Sequence, residues 1–174
     1  MSCAGSCRLR KTKLLSGLSE MSGANQKTAY CVFCDDIRHE VGNKSSLIGV
    51  YSGEMILVGN APLIIPKFCM DLTISSPRDE PMKSLSVLAS MGEDPLIKAE
   101  LSSDELEAGQ KAAMVARNGI DDDDPLGRLS VRIQLVASPL NVSSEGVINV
   151  VAVVDGQEIQ AGRLRIRINP SSTD

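Results

Sequence analysis

The chain predicts a mostly-β protein: an antiparallel β-sandwich, Ig-like or similar, with one inserted α-helix near residues 102–118. Three observations carry this. Short stretches in which apolar and polar residues alternate recur along the chain, separated by clusters of Gly, Pro, Asn and Asp; this is the sequence pattern of half-buried strands and their turns. Gly42-Asn43 and Asp155-Gly156 are tight-turn signals of the kind that close hairpins. Only one stretch changes period, and it opens on Ser102 and Glu105, the spacing of a capping box.

Residues 29–58 are the organising stretch and read as a hairpin. Tyr30, Val32 and Phe33 open its first arm, since aromatic and β-branched residues suit a pleated surface. Gly42-Asn43 turns the chain. The second arm runs over Ser46–Tyr51 and continues beyond Ser52-Gly53 into Met55–Val58. Strand parity puts Asp36, Arg38 and Glu40 on a wet face and Asp35 on the apolar parity of Phe33 and Ile37. Asp35 is therefore expected to be buried and hydrogen-bonded, because an unpaired buried carboxylate is costly.

After Pro62 and Pro66, the residues Phe68, Met70, Leu72 and Ile74 alternate with Lys67, Cys69, Asp71 and Thr73, a one-sided strand. A turn follows over 75–81, then strands over Ser84–Met91 and Leu96–Leu101 with a turn at Gly92–Pro95 between them. In the helical stretch Ala108, Ala112, Val115 and Ala116 share the expected buried face, and Asn118-Gly119 ends it. Arg128–Val136 alternates again, Pro139–Gly146 reads as a connection, and Val147–Val154 turns at Asp155-Gly156 into a returning strand over Gln157–Ile168. Residues 1–27, basic and without periodicity, are expected to be a disordered tail, with Met21 an alternative start; 28–169 form a single sandwich domain and 170–174 a short polar tail. The expected core includes Phe33, Leu47, Val50, Phe68, Met70, Leu72, Val87, Leu129, Val131, Ile133, Val150 and Ile166.

One stretch carries a resemblance. Cys34-Asp35-Asp36-Ile37-Arg38, Glu40, the Gly-containing turn, Leu47, Gly49-Val50-Tyr51 and Gly53, with Pro62 and Pro66 beyond, are similar to a family of small bacterial proteins of unknown function. That family shares a C-D-D-[IV]-R-x-E … G … L-x-G-V-[YF]-x-G opening. The resemblance covers about residues 29–75. It implies a sandwich-like cytoplasmic domain in which Asp35, Asp36, Arg38, Glu40, Gly49 and Tyr51 are motif residues, and it implies no activity.

Composition narrows the function classes. Aromatic residues make up 2% of the chain and Trp is absent, which leaves no base-stacking platform. The net charge of −4 is opposite to that of a dedicated nucleic-acid binder. No apolar run approaches the ~20 residues that span a bilayer, and LLSGL near the start is too short and polar for a signal-peptide core. A cytoplasmic protein without nucleic-acid or membrane partners is expected, and no cofactor is called for.

Candidate chemistry is sparse. The five cysteines are an odd count, as expected of reduced thiols. Cys31 and Cys34 have redox spacing, yet on a strand they point to opposite faces, so they read as small buried hydrophobes. His39 and Cys34 also fall on opposite faces, which rules against a dyad. With no nucleophile elbow, phosphate loop or zinc-helix motif, the expectation is a non-enzyme. The run Asp121-Asp122-Asp123-Asp124 is a weak cation candidate, because hard cations want several oxygens but at alternating spacing; a solvated acidic loop is the plainer reading.

The C-terminal hairpin holds a contradiction. Regular pairing from the Asp155-Gly156 turn would bring Arg163, Arg165 and Arg167 onto the face of Ile148, Val150 and Ala152. Three arginines do not pack there without partners. A β-bulge or break at Ala161-Gly162, with glycine free to take positive φ, would turn Leu164, Ile166 and Ile168 inward and set the three arginines outward. The expected function is a non-catalytic binding or assembly module. Its partner is a protein or a second copy, and Arg163, Arg165 and Arg167 are the candidate contacts. The alternative is a metal- or small-molecule-responsive domain using Asp121–Asp124.

Overall fold

A computed structural model describes residues 26–42, 44–116 and 127–170, the side chains of 113–116 excepted. Two sheets enclose one core. The smaller has the order β1 (Thr28–Cys34), β6 (Phe68–Pro77), β9 (Arg128–Ala137). The larger has the order β4 (Glu54–Val58), β12 (Gln157–Asn169), β11 (Gly146–Val154), β7 (Leu85–Met91), β8 (Asp94–Leu101). Two ribbons flank them: β2 (Asp36–Glu40) with β3 (Lys44–Ile48), and β5 (Leu63–Ile65) with β10 (Leu140–Val142). All pairs are antiparallel except β4 with β12, which run parallel. The fold is mostly β with one helix among the described residues, α1 (Ser103–Ala116). No helix among them is long and apolar enough to cross a membrane.

Alternation fixes the core. Phe68, Met70, Leu72 and Ile74 of β6 face Val87, Ala89, Ile148, Val150, Ala152, Leu164 and Ile166 of the larger sheet, all buried. Of the core expected from sequence, Leu47, Val131 and Ile133 are half-buried, and Val50 is 51% exposed. Val50 fails because β3 ends at Ile48: Gly49 adopts φ +67° and the chain leaves the strand.

The organising hairpin is split. β1 pairs with β6, and only β2 pairs with β3; β4 joins the other sheet instead of continuing the second arm. The bend between β1 and β2 lies at Asp35, which is exposed, not buried as its parity predicted. Parity carries over only along an unbroken strand. The turn placed at 75–81 is also shorter than expected, since β6 runs to Pro77.

α1 carries the chain from β8 to β9 and packs on β9. Its capping box is formed: the Ser102 amide donates to Glu105 Oε2 at 2.9 Å and the Glu105 amide to Ser102 Oγ at 3.3 Å. Among its described side chains Leu106 and Gln110 are buried, while Ala108 and Ala112 are exposed; the side chains of Val115 and Ala116, also expected on the packing face, lie outside the described residues. The larger apolar surface of Leu106 decides which face packs. Gln110 follows one turn later because its amide satisfies both main-chain groups of Met82, accepting from N at 2.9 Å and donating to O at 2.8 Å.

Candidate functional site

The stretch from Phe33 to Tyr51 builds a corner. The Asp35 amide donates to Ile48 O at 3.0 Å and Gly49 O at 3.3 Å, and the Tyr51 amide donates to Phe33 O at 2.9 Å. The Tyr51 hydroxyl donates to Asp35 Oδ1. Asp36 pairs with Lys67 and, at 3.5 Å, with Arg38, and Ser46 donates to Glu40 at 3.0 Å. Phe33, Phe68 and Tyr51, three of the chain's four aromatic residues, stand together, with Phe68 6.1 Å from Phe33 and 6.3 Å from Tyr51 between ring centres.

These contacts hold the point where β1 leaves its sheet, and they shift the titration of the groups that make them. Burial, with the Asp35 carboxylate beside it, pushes the Tyr51 phenol up, away from ionisation. The Lys67 ammonium holds Asp36 below the usual carboxylate range. Burial pushes the Cys31 thiol up to about 12 and the Cys34 thiol to about 11, and raises Cys69 as well. All three are thiols at neutral pH, the weakly nucleophilic form. Cys31 lies on the core side of β1 while Cys34 lies on the other, directly across from Cys69, so the C-x-x-C pair is divided between faces. His39 is exposed on β2. Among the described residues no three His, Cys, Asp or Glu side chains cluster closely enough to hold a metal ion. Asp121–Asp124 lie outside the described residues.

Sequence reasoning missed the buried polar residues, and Asp71 is the charged one among them. Asp71, assigned above to a wet face, is 5% exposed. Arg132 grips both its oxygens, Nε to Oδ1 at 2.7 Å and a terminal nitrogen to Oδ2 at 2.8 Å, and Gln134 adds a donor at 3.3 Å. Gln134 also reaches Ser45 of β3 at 3.4 Å, so the β2–β3 ribbon adds a layer to this face of β6. The register explains the contact: Thr73 pairs with Arg132 and Asp71 with Gln134, which makes Asp71 and Arg132 diagonal neighbours, and that pairing is not written in the sequence.

The C-terminal hairpin supplies the second assembly. Asp155 and Gly156 have φ of 52° and 81°, the two positive values of a type I′ turn. Asp155 is anchored: Oδ1 accepts from the amides of Lys83 and Ser84, both at 2.8 Å, and Oδ2 meets Lys27 at 2.6 Å. Pairing runs regularly from Val154 with Gln157 to Val151 with Gln160; then Val150 meets Gly162, and Ala161 is the extra residue. The expected bulge is therefore present. The Gln160 amide secures it by donating to Val150 O at 3.1 Å and Gly162 O at 2.8 Å. The role given to glycine needs correction, because φ of Gly162 is not in the left-handed region. A Cβ there would instead lie 2.9 Å from Cys31 Cβ and 3.2 Å from the Phe33 ring. Glycine lets the two sheets approach.

Beyond the bulge Leu164 and Ile166 are buried, Ile168 is half-buried, and Arg163, Arg165 and Arg167 are exposed on the outer face. Alternate residues on a strand are about 6.6 Å apart, so the guanidinium groups start from a regular row. Arg167 meets Glu54 of β4 at 2.5 Å; among the described residues Arg163 and Arg165 form no ion pair. Beside the row lies a hollow of about 510 Å³, lined by residues 145–147 and 165–167 and by Asn169. Chemically, the arrangement can receive carboxylates at strand-like spacing. No family model matches the chain, and no curated protein matches it either.

Proposed function

We propose that this protein is a non-catalytic binding or assembly module that docks an acidic segment of a protein partner along Arg163, Arg165 and Arg167. The observation that supports the reading is the outward row of three arginines beside a concave surface. Planar, permanently charged guanidinium groups at even spacing recognise carboxylates in pairs. The motif corner has a structural part in this reading: Asp35, Asp36, Arg38, Glu40, Gly49 and Tyr51 hold the ribbon and the turn. The same reading treats residues 29–75 as akin to the bacterial family with the C-D-D opening, and the protein as cytoplasmic.

The test uses a fluorescein-labelled peptide alternating Glu and Thr, followed by anisotropy. Binding is expected at low ionic strength and weakens as salt screens the charges. The R163Q/R165Q/R167Q variant is expected to bind about tenfold more weakly or not at all, with an unchanged Tm. Equal binding by that variant, or no binding at low salt, would overturn the reading. The alternative, a cation-responsive domain using Asp121–Asp124, predicts instead a calcium-dependent rise in Tm.

A further inference from the structure

We infer that β4 is a self-association edge, and that two copies of this chain pair antiparallel through it about a two-fold axis at Ile56. The direction of its main-chain groups comes first. At the two ends of the β4–β12 ladder, the Arg165 amide donates to Gly53 O at 3.0 Å and the Gly59 amide to Asn169 O at 2.9 Å. With Arg165 opposite Glu54, Arg167 opposite Ile56 and Asn169 opposite Val58, a parallel ladder uses the N–H and C=O of Met55 and Leu57. Those of Glu54, Ile56 and Val58 point away from β12, and among the described residues β12 is the only strand paired with β4.

The other edges of the two main sheets are each interrupted or covered in part. β8 carries Pro95, a register shift opposite Ala89/Ser90 and a Lys98–Glu100 pair. β9 has α1 against it. At the end of β1 the Phe33 carbonyl and the Asp35 amide are taken by residues 48–51. β4 has no proline, lysine or bulge, and it exposes Ile56 by 56% and Val58 by 73%. An unprotected apolar edge of this kind is a template for another strand.

A second copy fits that template. A two-fold axis at Ile56 sets Ile56 opposite Ile56 of the other copy, and Glu54 opposite its Val58. All three outward-pointing residues then exchange main-chain hydrogen bonds, and no like charges are opposed. Glu54 already has its counter-ion in Arg167. On the inner face the same register sets half-buried Leu57 opposite Met55 of the second copy, extending the core across the joint. An unrelated partner would have to bring an unblunted edge of its own, which soluble proteins avoid; another copy brings one by identity, as an isologous interface requires.

Sedimentation equilibrium of the full chain between about 1 and 300 µM tests this, and a five-residue joint belongs with the small, weak interfaces. A reversible monomer–dimer equilibrium is expected, with the Ile56 and Val58 amides exchanging more slowly as concentration rises. I56K places a charge on the edge, and I56P removes an N–H that makes no bond within one copy. Both are expected to be monomeric throughout the range with Tm near that of the wild type, whereas R163Q/R165Q/R167Q still dimerises. A wild-type protein that stays monomeric over the range, or a dimer that survives in both Ile56 variants, would overturn the inference.

Discussion

Substituting Gly49 by alanine tests the motif corner most directly. Gly49 sits at φ +67°, and a Cβ there would lie 2.6 Å from Asp35 Cγ and closer still to Oδ2. Two costs follow. Placing an L-residue in the left-handed region costs roughly 1–2 kcal/mol. Asp35 must also swing away, which breaks its hydrogen bond from Tyr51. Asp35 is exposed, so that bond is taken at the neutral-pair level of about 1 kcal/mol. The total is about 2–3 kcal/mol, measured as a shift in the urea midpoint by far-UV circular dichroism. The double-mutant cycle separates the parts. In a D35G background the clash and the hydrogen bond are both gone, and Gly49→Ala should cost only the backbone part of about 1–2 kcal/mol. A Gly49→Ala protein within about 0.5 kcal/mol of wild type, or a penalty undiminished by D35G, would refute the corner as described.

Arg132→Ala leaves Asp71 buried without its partner and should cost about 3 kcal/mol, whereas Arg167→Ala breaks an exposed pair and should cost less than about 1 kcal/mol; denaturant midpoints of the two variants give the comparison. Gly162→Ala should cost about 1–3 kcal/mol by forcing the sheets apart at Cys31 and Phe33, visible as a lower Tm. Asp155 gives a pH signature. Burial pushes its carboxyl up, but Lys27 and the Ser84 and Lys83 amides together outweigh burial and hold it below the ordinary value. A depressed folded pKa contributes stability above the unfolded value of about 3.9, lost as pH falls through the folded one. The Tm advantage of wild type over D155N should therefore be full at neutral pH and vanish in acid. Asparagine tolerates the φ of 52° at this position, so an advantage that persists in acid would mean the carboxylate charge contributes nothing.

Most strands were legible because burial on one face forces alternation, as Phe68 to Ile74 shows. The bulge was legible for a sharper reason: three arginines in phase with Val150 and Ala152 violate that alternation, and one extra residue is the smallest repair. Pairing partners were not legible. Nothing in Glu54–Val58 says that it runs parallel to β12, because main-chain hydrogen bonds carry no residue code. β5 and β10 span three residues each, too few for a period to show. Asp35 misled because parity was carried through a bend set by Gly49 and Tyr51, residues distant in the chain. The helix was legible, but Ala108 and Ala112 misled about its packing face, because exposed alanines can share the spacing of one. Only the site opposite Met82 reveals why Gln110 is the buried polar group.

The bulge at Ala161 also governs which heritable changes this hairpin can absorb. Residues 157–160 and 162–169 obey two inside–outside codes held in opposite phase by one inserted position. Replacing any one arginine outward of it alters a surface. Deleting Ala161 removes the extra residue, and regular pairing then keeps Val150 opposite Gly162 and Ile148 opposite Leu164, so Leu164, Ile166 and Ile168 stay inward. Adding one residue between the turn and the row is the harmful change, since with a single bulge it sets Arg163 opposite Ile148; the hairpin therefore absorbs a loss at this position more readily than a gain.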